Sequence, residues 1–385
     1  MSVASPVLLE ILKRLRAQRE ASGLSQSALE EEMILGPGWI ERFESGNSLP
    51  SLDMLLWIVN KVGATPERFF AGLVGDGSPG AVERFIHAVP HGKHLDIRFR
   101  YGDFDATYRL EQAQLDDFER VVKTLRDGLA VLATRIPDAE AVKTQAVAKT
   151  FLTAMEVWPH ANPSDIWWFV VYRAYCDPFN HPATFARLDL SQSWKRTGGW
   201  ALEEIVVQFY APFLAKHGIR LFIAPREEKK RLLEQLRIRE RLEADKVDVL
   251  LTGDHRGEAQ CFGVVHVKAS FAERRTDDIP LSKALVDAGY VSPLWTMDCK
   301  STPAANPDNR GELGDTKDAT SDSRSAKRKD IEEDGYFSAC FSYNRNTKAT
   351  PADQPAKAKV IVCNFQSPDD AFSQFIIQSW KRRRR

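Results

Sequence analysis

Apolar positions along this chain recur first at helical spacing, then in alternation, then in a mixture of the two. Over residues 6–73 the spacing predicts a run of short helices. Leu8 to Ala21 is amphipathic, and Ser25-Gln26 opens a second helix from Ser27 to Met33. Gly36-Pro37 marks a turn, and Trp39 to Glu44 forms a third helix stopped by Ser45-Gly46-Asn47. Pro50-Ser51 starts a fourth, Leu52 to Val62, capped by Gly63. A fifth begins with Thr65 as N-cap and Pro66 at the first helical position.

Past residue 80 the period shortens. Leu95-Asp-Ile97-Arg-Phe99-Arg-Tyr101 alternates, Gly102-Asp103 turns, and Ala106-Thr-Tyr108-Arg-Leu110 alternates again, which is a β-hairpin. Helical patterns follow at about 113–134 and 138–157, then an aromatic-rich one from Ile166 to Tyr175. From about 191, helices at 198–216, 225–241 and 281–288 interleave with strands at 219–224, 246–251, 260–268 and 294–300. A polar stretch at 303–324, rich in Asn, Asp, Gly and Ser, is long enough to be mobile or functional. A helix at about 325–334, strands at 336–343 and 359–365, and a helix at 369–380 close the chain. The expected domains are therefore 1–74, 81–190 and 191–385. Gly75-Asp-Gly77-Ser-Pro-Gly80 matches GxGxxG, but it follows a helix and contains proline, so it reads as a linker. His91-Gly-Lys-His94 has no partner ligands in sequence and reads as a polar loop.

Composition adds exclusions. No stretch approaches the roughly eighteen consecutive apolar residues of a membrane span. The first residues lack the pattern of a secretory signal. The five cysteines are far apart and form no CxxC, which fits a reduced cytoplasmic protein without a disulfide framework or zinc knuckle. Lys+Arg and Asp+Glu both number 53, so overall charge neither demands nor forbids nucleic acid. Lys381-Arg-Arg-Arg-Arg385 is either a frayed tail or a phosphate-tracking arm.

Candidate chemistry gathers at 199–302. Asp248 stands between Val247 and Val249 in one β-branched run, and Lys268 ends a second run twenty residues later. Phosphodiester hydrolysis needs an activated water, positive charge at phosphorus and a stabilised leaving oxygen, and divalent cations on carboxylates supply these. Asp248 is the candidate cation ligand and Lys268 the phosphate contact. His266 shares the face of Lys268 but is a poor Mg²⁺ ligand, so a second carboxylate must come from elsewhere. Glu203, at the edge of the apolar stripe Leu202, Ile205, Val206 and Phe209, is the first candidate. Glu204, Asp277 and Asp278 are alternatives. Asp298-Cys-Lys300 is a weaker Asp-x-Lys, read as a phosphate or structural contact.

Two resemblances sharpen this. Leu24-Ser25-Gln26, Ile40 with Phe43-Glu44-Ser45-Gly46, and Pro50-Ser51-Leu52 through Val62-Gly63 resemble a Cro/C1-type helix-turn-helix domain. Its groove-facing positions carry Gly36, Pro37, Gly38, Glu41 and Arg42, after Glu30-Glu31-Glu32, which suits docking or dimerisation better than base reading. Residues 191–303 resemble restriction endonucleases of the PD-(D/E)xK class, in the CCGG-reading, BsaWI-like branch. The resemblance is carried by Trp194-Lys-Arg, Gly199-Trp-Ala-Leu-Glu203, Val247-Asp248-Val249 and His266-Val-Lys268 through Asp278. It implies an α+β chain: an all-α helix-turn-helix domain, a hairpin and helical middle region for accessory DNA contact or dimerisation, and an αβββαβ nuclease core. It implies a Mg²⁺-dependent homodimer cutting double-stranded DNA at a palindrome, with a cognate DNA methyltransferase as genomic neighbour. By this resemblance Glu203, Asp248 and Lys268 are catalytic, with Asp248 and Glu203 on the metal, and Glu273, Arg274 and Arg275 contact DNA. A transcriptional regulator with a degenerate nuclease domain, and a nuclease directed by DNA structure or modification, remain alternatives.

Overall fold

Serine hydroxyls set the first helices. In the computed structural model, Ser25 and Ser51 each accept a hydrogen bond from the backbone N–H three residues on, opening α2 (Gln26–Glu32) and α4 (Leu52–Lys61). With α1 (Pro6–Ala21), α3 (Trp39–Glu44) and α5 (Pro66–Phe70) they enclose a core of Leu15, Leu29, Ile40, Phe43, Ile58 and Val59. The structure describes residues 6–70 except 49, and 85–384 except 135–137, 183–184, 186–188, 239–242, 271–274 and 318–321. The expected linker at 75–80 lies outside them. Two compact units divide the chain, Met1–Glu83 and Arg84–Arg385.

In the first unit the acidic triplet divides. Glu31 and Glu32 are exposed. Glu30 is buried, and its carboxylate accepts from Gly38 N and Ile40 N at 3.1 and 2.8 Å, capping the start of α3. Buried Arg19 pairs with Glu44 at 2.6 Å, and Gln26 donates to the same carboxylate.

The second unit begins with three antiparallel strands, β1 (Ile86–His91), β2 (His94–Tyr101) and β3 (Phe104–Glu111). The hairpin expected from alternation is β2–β3. His91 and His94 flank the turn from β1 into β2, so this segment is the neck of a second hairpin and not a loop. Then come α6 (Leu115–Ala130) and α7 (Ala139–Val157), followed by α8 (Pro163–Asp165) and α9 (Tyr172–Cys176), joined by a π-helical stretch at Ile166–Val171. The boundary expected near 190 falls at the start of α10 (Leu190–Ala215).

The larger sheet orders its strands β4 (Ile219–Phe222), β5 (Val249–His255), β6 (Glu258–Lys268), β7 (Leu294–Thr296), β8 (Cys340–Ser342) and β9 (Val360–Val362). β4 to β6 are antiparallel, and β6 to β9 run parallel. Helices α11 (Arg226–Glu234), α12 (Arg275–Asp287), α13 (Ala326–Glu332) and α14 (Ala371–Arg383) complete the unit. The expected αβββαβ order is present as α10–β4–β5–β6–α12–β7, with α11 inserted before β5. Gly263 lets β6 approach the chain entering β7, since a Cβ there would lie 2.3 Å from the Val291 carbonyl. A single core runs from Ile97 and Phe118 through Trp167 and Ile205 to Val265 and Trp295, so the small sheet, the helices and the large sheet share one interior.

Some bounds differ from the expected ones. The strand at 294–300 ends at Thr296, because Asp298 takes a positive φ of 48°. Asp298 is buried and accepts from Glu312 N, Leu313 N and the Thr347 hydroxyl, which pins the described part of the 303–324 stretch. It is thus a structural anchor. The basic end continues as helix to Arg383, which lies over the Tyr290 ring and donates to the Gly289 carbonyl. Cationic side chains suit a helix C-terminus. No helix among the described residues is long and apolar enough to cross a membrane.

Candidate active site

Asp248 is the first fixed point. It stands one residue before β5, not inside a strand as its β-branched neighbours suggested. Those neighbours, Val247 and Val249, are buried. Its carboxylate turns to β6, where one oxygen accepts from Val267 N and from the Lys268 ammonium, each at 2.8 Å. The side chains of Lys268 and Asp248 are 10% and 14% exposed, so the pair is sheltered and reachable. Burial works against the charge of Lys268, but Asp248 and Asp278 outweigh it and hold the ammonium above its ordinary value.

Asp278, on α12, approaches from the other side, 3.4 Å from the Lys268 ammonium and 3.9 Å from His266 Nδ1. Burial would raise its carboxyl, yet the contacts with His266 and Lys268 keep it below the usual value. His266 is fully buried, with Nε2 3.0 Å from the Ser292 hydroxyl, which meets the Ser282 hydroxyl at 2.7 Å. The imidazole is thus buried between the Ser292 hydroxyl, which it meets at hydrogen-bond distance, and the Asp278 carboxylate, 3.9 Å from its Nδ1. Serines at 282 and 292 gave no sequence signal, because their pairing depends on α12 packing beside β6.

Glu203 arrives from α10. Its carboxyl is pushed up to about 8, first by burial and then by the charge of Asp248, with Lys229 and Lys268 opposing. A dication beside the Glu203 carboxyl would favour its ionised form. Glu204, one residue on, is bonded to Gln208 at 3.3 Å instead. Glu203 and Glu204, with Trp200, line a recess of about 260 Å³. Among the described residues no group of three or more His, Cys, Asp or Glu side chains converges as a metal site. A pair of carboxylates such as Glu203 and Asp248 would suit Mg²⁺ completed by water and phosphate oxygens.

The structure brings Glu203, Asp248, Lys268 and Asp278 into one cluster. Glu273 and Arg274 lie outside the described residues; Arg275 begins α12, and its side chain is not described. Lys229, on α11, donates to the Val247 carbonyl. In the sequence nothing distinguishes it from the other charges of its helix.

A family model described as BsaWI restriction endonuclease type 2 matches residues 227–367, and a helix-turn-helix domain model matches residues 10–69. The type II restriction enzyme AgeI of Thalassovita gelatinovora is 41% identical over 240 residues, 60% of this chain and 82% of that enzyme. A crystal structure of restriction endonuclease AgeI in complex with DNA superposes with a TM-score of 0.64 at 33% identity, covering 73% of this chain and 98% of that one. A BsaWI–DNA complex shows 16% identity and a TM-score of 0.32, over 70% of this chain and 95% of that one.

Proposed function

Because this chain belongs to the type II restriction endonucleases, enzymes that cut DNA at specific sites, we propose that it cleaves both strands at a palindrome with a CCGG-type core, as a Mg²⁺-dependent homodimer. The observation that carries the reading is the convergence of Glu203 from α10, Asp248 from the residue before β5, and Lys268 from β6. A nuclease domain retained only for binding would have no need of that set.

Asp248 and Glu203 would hold the cation, whose charge, when bound, favours ionisation of water and stabilises the leaving oxygen. The rest falls to the chain. Lys268, kept charged by two carboxylates, offers its ammonium to a phosphate oxygen. Asp278, with His266 beside it, keeps that ammonium from swinging away. Burial makes each charge act through a medium less screening than water. Glu273, Arg274 and Arg275 are assigned to DNA: arginine meets guanine O6 and N7 as a bidentate donor, and a carboxylate accepts from cytosine N4. A two-fold dimer presents these groups to both halves of a palindrome. Such an enzyme works in the cytoplasm beside the chromosome, and a methyltransferase encoded nearby would protect host sites.

Purified protein incubated with λ DNA should yield discrete fragments with Mg²⁺ and none with EDTA. Sequenced ends should all fall at one palindrome containing CCGG. Fragments with scattered ends, or ends at an unrelated sequence, would overturn the reading.

A further inference from the structure

Asp248 is held by more than its own carboxylate contacts. In the Pro-Asp form that gives the PD-(D/E)xK class its name, a proline precedes the aspartate and its ring fixes φ at about −65°. Here Val247 stands in that position, and valine has no such lock. Its backbone nevertheless has φ −88° and ψ 117°, and the residue is 1% exposed. Two hydrogen bonds define it. Val247 N donates to the Ala244 carbonyl at 3.2 Å, a bond proline could not make. The Val247 carbonyl accepts from the Lys229 ammonium at 2.5 Å.

Lys229 is placed for this by its helix. Leu232 and Leu233 of α11 pack in one core with Val247, Leu250 and Val264. The lysine therefore reaches the entry of β5 from a helix seated on the same sheet. A bond from an ammonium to a carbonyl is charge-assisted and about twice as strong as a neutral one. The charge of Lys229 is also felt at Glu203.

We propose that Lys229 is a positioning residue of the cleavage site: its grip on the Val247 carbonyl fixes the backbone from which Asp248 projects, replacing the rigidity that proline supplies in the Pro-Asp form. This rests on the assignment of Asp248 to the cleavage site.

The test compares full-length wild type, Lys229→Met, Lys229→Arg and Asp248→Ala. Lys229→Met keeps the aliphatic stem and loses the donor. At saturating Mg²⁺ its kcat should fall about 10- to 100-fold, the cost of a small misplacement at a reacting centre. KM for a cognate duplex should stay within about twofold, and the melting temperature within about 2 °C. Lys229→Arg should return kcat to within about fivefold of wild type. In metal-free protein, hydrogen exchange at residues 247–249 should quicken in Lys229→Met and not in Lys229→Arg. An unchanged kcat in Lys229→Met overturns the proposal. So does a fall in kcat accompanied by equal losses in KM and melting temperature that arginine does not restore, which would mark a merely structural lysine. An active Asp248→Ala enzyme overturns the site assignment itself, and the proposal with it, whatever Lys229→Met does.

Discussion

Asp248 and Lys268 share one hydrogen bond of 2.8 Å, so each defines the other's setting. Asp248→Ala and Lys268→Ala should each lower cleavage by about a thousandfold or more, since a cation ligand or phosphate contact contributes several kcal/mol to the transition state. Specific DNA binding in Ca²⁺, read by gel shift, should survive in both, and near-normal cutting by either would remove the site. Glu203 gives a different signature. Its carboxyl lies at about 8 in the folded chain against an ordinary 4.5. Between those values the folded, cation-free protein binds more protons than the unfolded chain. The stability this carboxyl contributes is complete below about pH 4.5 and is lost as pH rises through about 8. The cation-free melting temperature should therefore fall across that window. Glu203→Gln should flatten the fall, and added Ca²⁺ should raise melting more at about pH 8.5 than at about pH 6. An identical pH profile for wild type and Glu203→Gln would contradict this. At this scale Asp248, Lys268 and Glu203 drew notice in the sequence because each stood out against an apolar pattern. The buried setting of His266 did not, because its partners Ser292 and Asp278 lie 26 and 12 positions away.

Elements were legible wherever the period was long and the caps explicit. Trp39–Glu44 and the β2–β3 hairpin fall where the pattern put them. β1 escaped because Ile86–His91 includes Pro90 and buries little on its outer face. The direction of Glu30 also escaped: a run of three glutamates looks solvated, yet only Glu31 and Glu32 are exposed. Glu30 bonds two N–H groups at the start of α3, where no capping hydroxyl stands, since Gly38 occupies the N-cap. Glu30→Ala would leave those donors unmet at a cost of about 1–3 kcal/mol. Hydrogen exchange over 26–44 should then accelerate about 10- to 100-fold, with the second unit unaffected. Unchanged protection would mean that packing of Ile40 and Phe43 alone orders α3.

For the whole molecule, the question is which unit reads DNA. In the helix-turn-helix unit the turn presents Ile34, 93% exposed with φ 53°, and then Trp39, 38% exposed. Neither is a base-reading side chain, and Glu31, Glu32 and Glu41 beside them repel phosphate. Deleting residues 1–74 should thus leave the cleaved sequence unchanged, though binding or dimer formation could weaken. Arg274→Ala should instead collapse discrimination, at about 1–3 kcal/mol per base contact and twice over in a symmetric dimer. Cleavage of a cognate duplex and its single-base variants by both proteins decides the matter. A truncated enzyme with altered preference, or an Arg274→Ala enzyme with unaltered preference, would move recognition to the other unit.

The sequence by itself determined the class of the fold, the helical unit at the front, and the residue types of the site. Hydrophobic period and capping chemistry are local, and a nuclease core states its strand and helix order in local terms. Only the tertiary structure decided that the charge of Asp248 is felt at Glu203; that Asp278 closes on Lys268; that His266 is sealed; and that Lys229 grips the Val247 carbonyl. Each of these depends on how one helix sits against a sheet, α10, α12 or α11. That placement follows from the shape of a shared core, to which every buried residue contributes and which no single segment encodes.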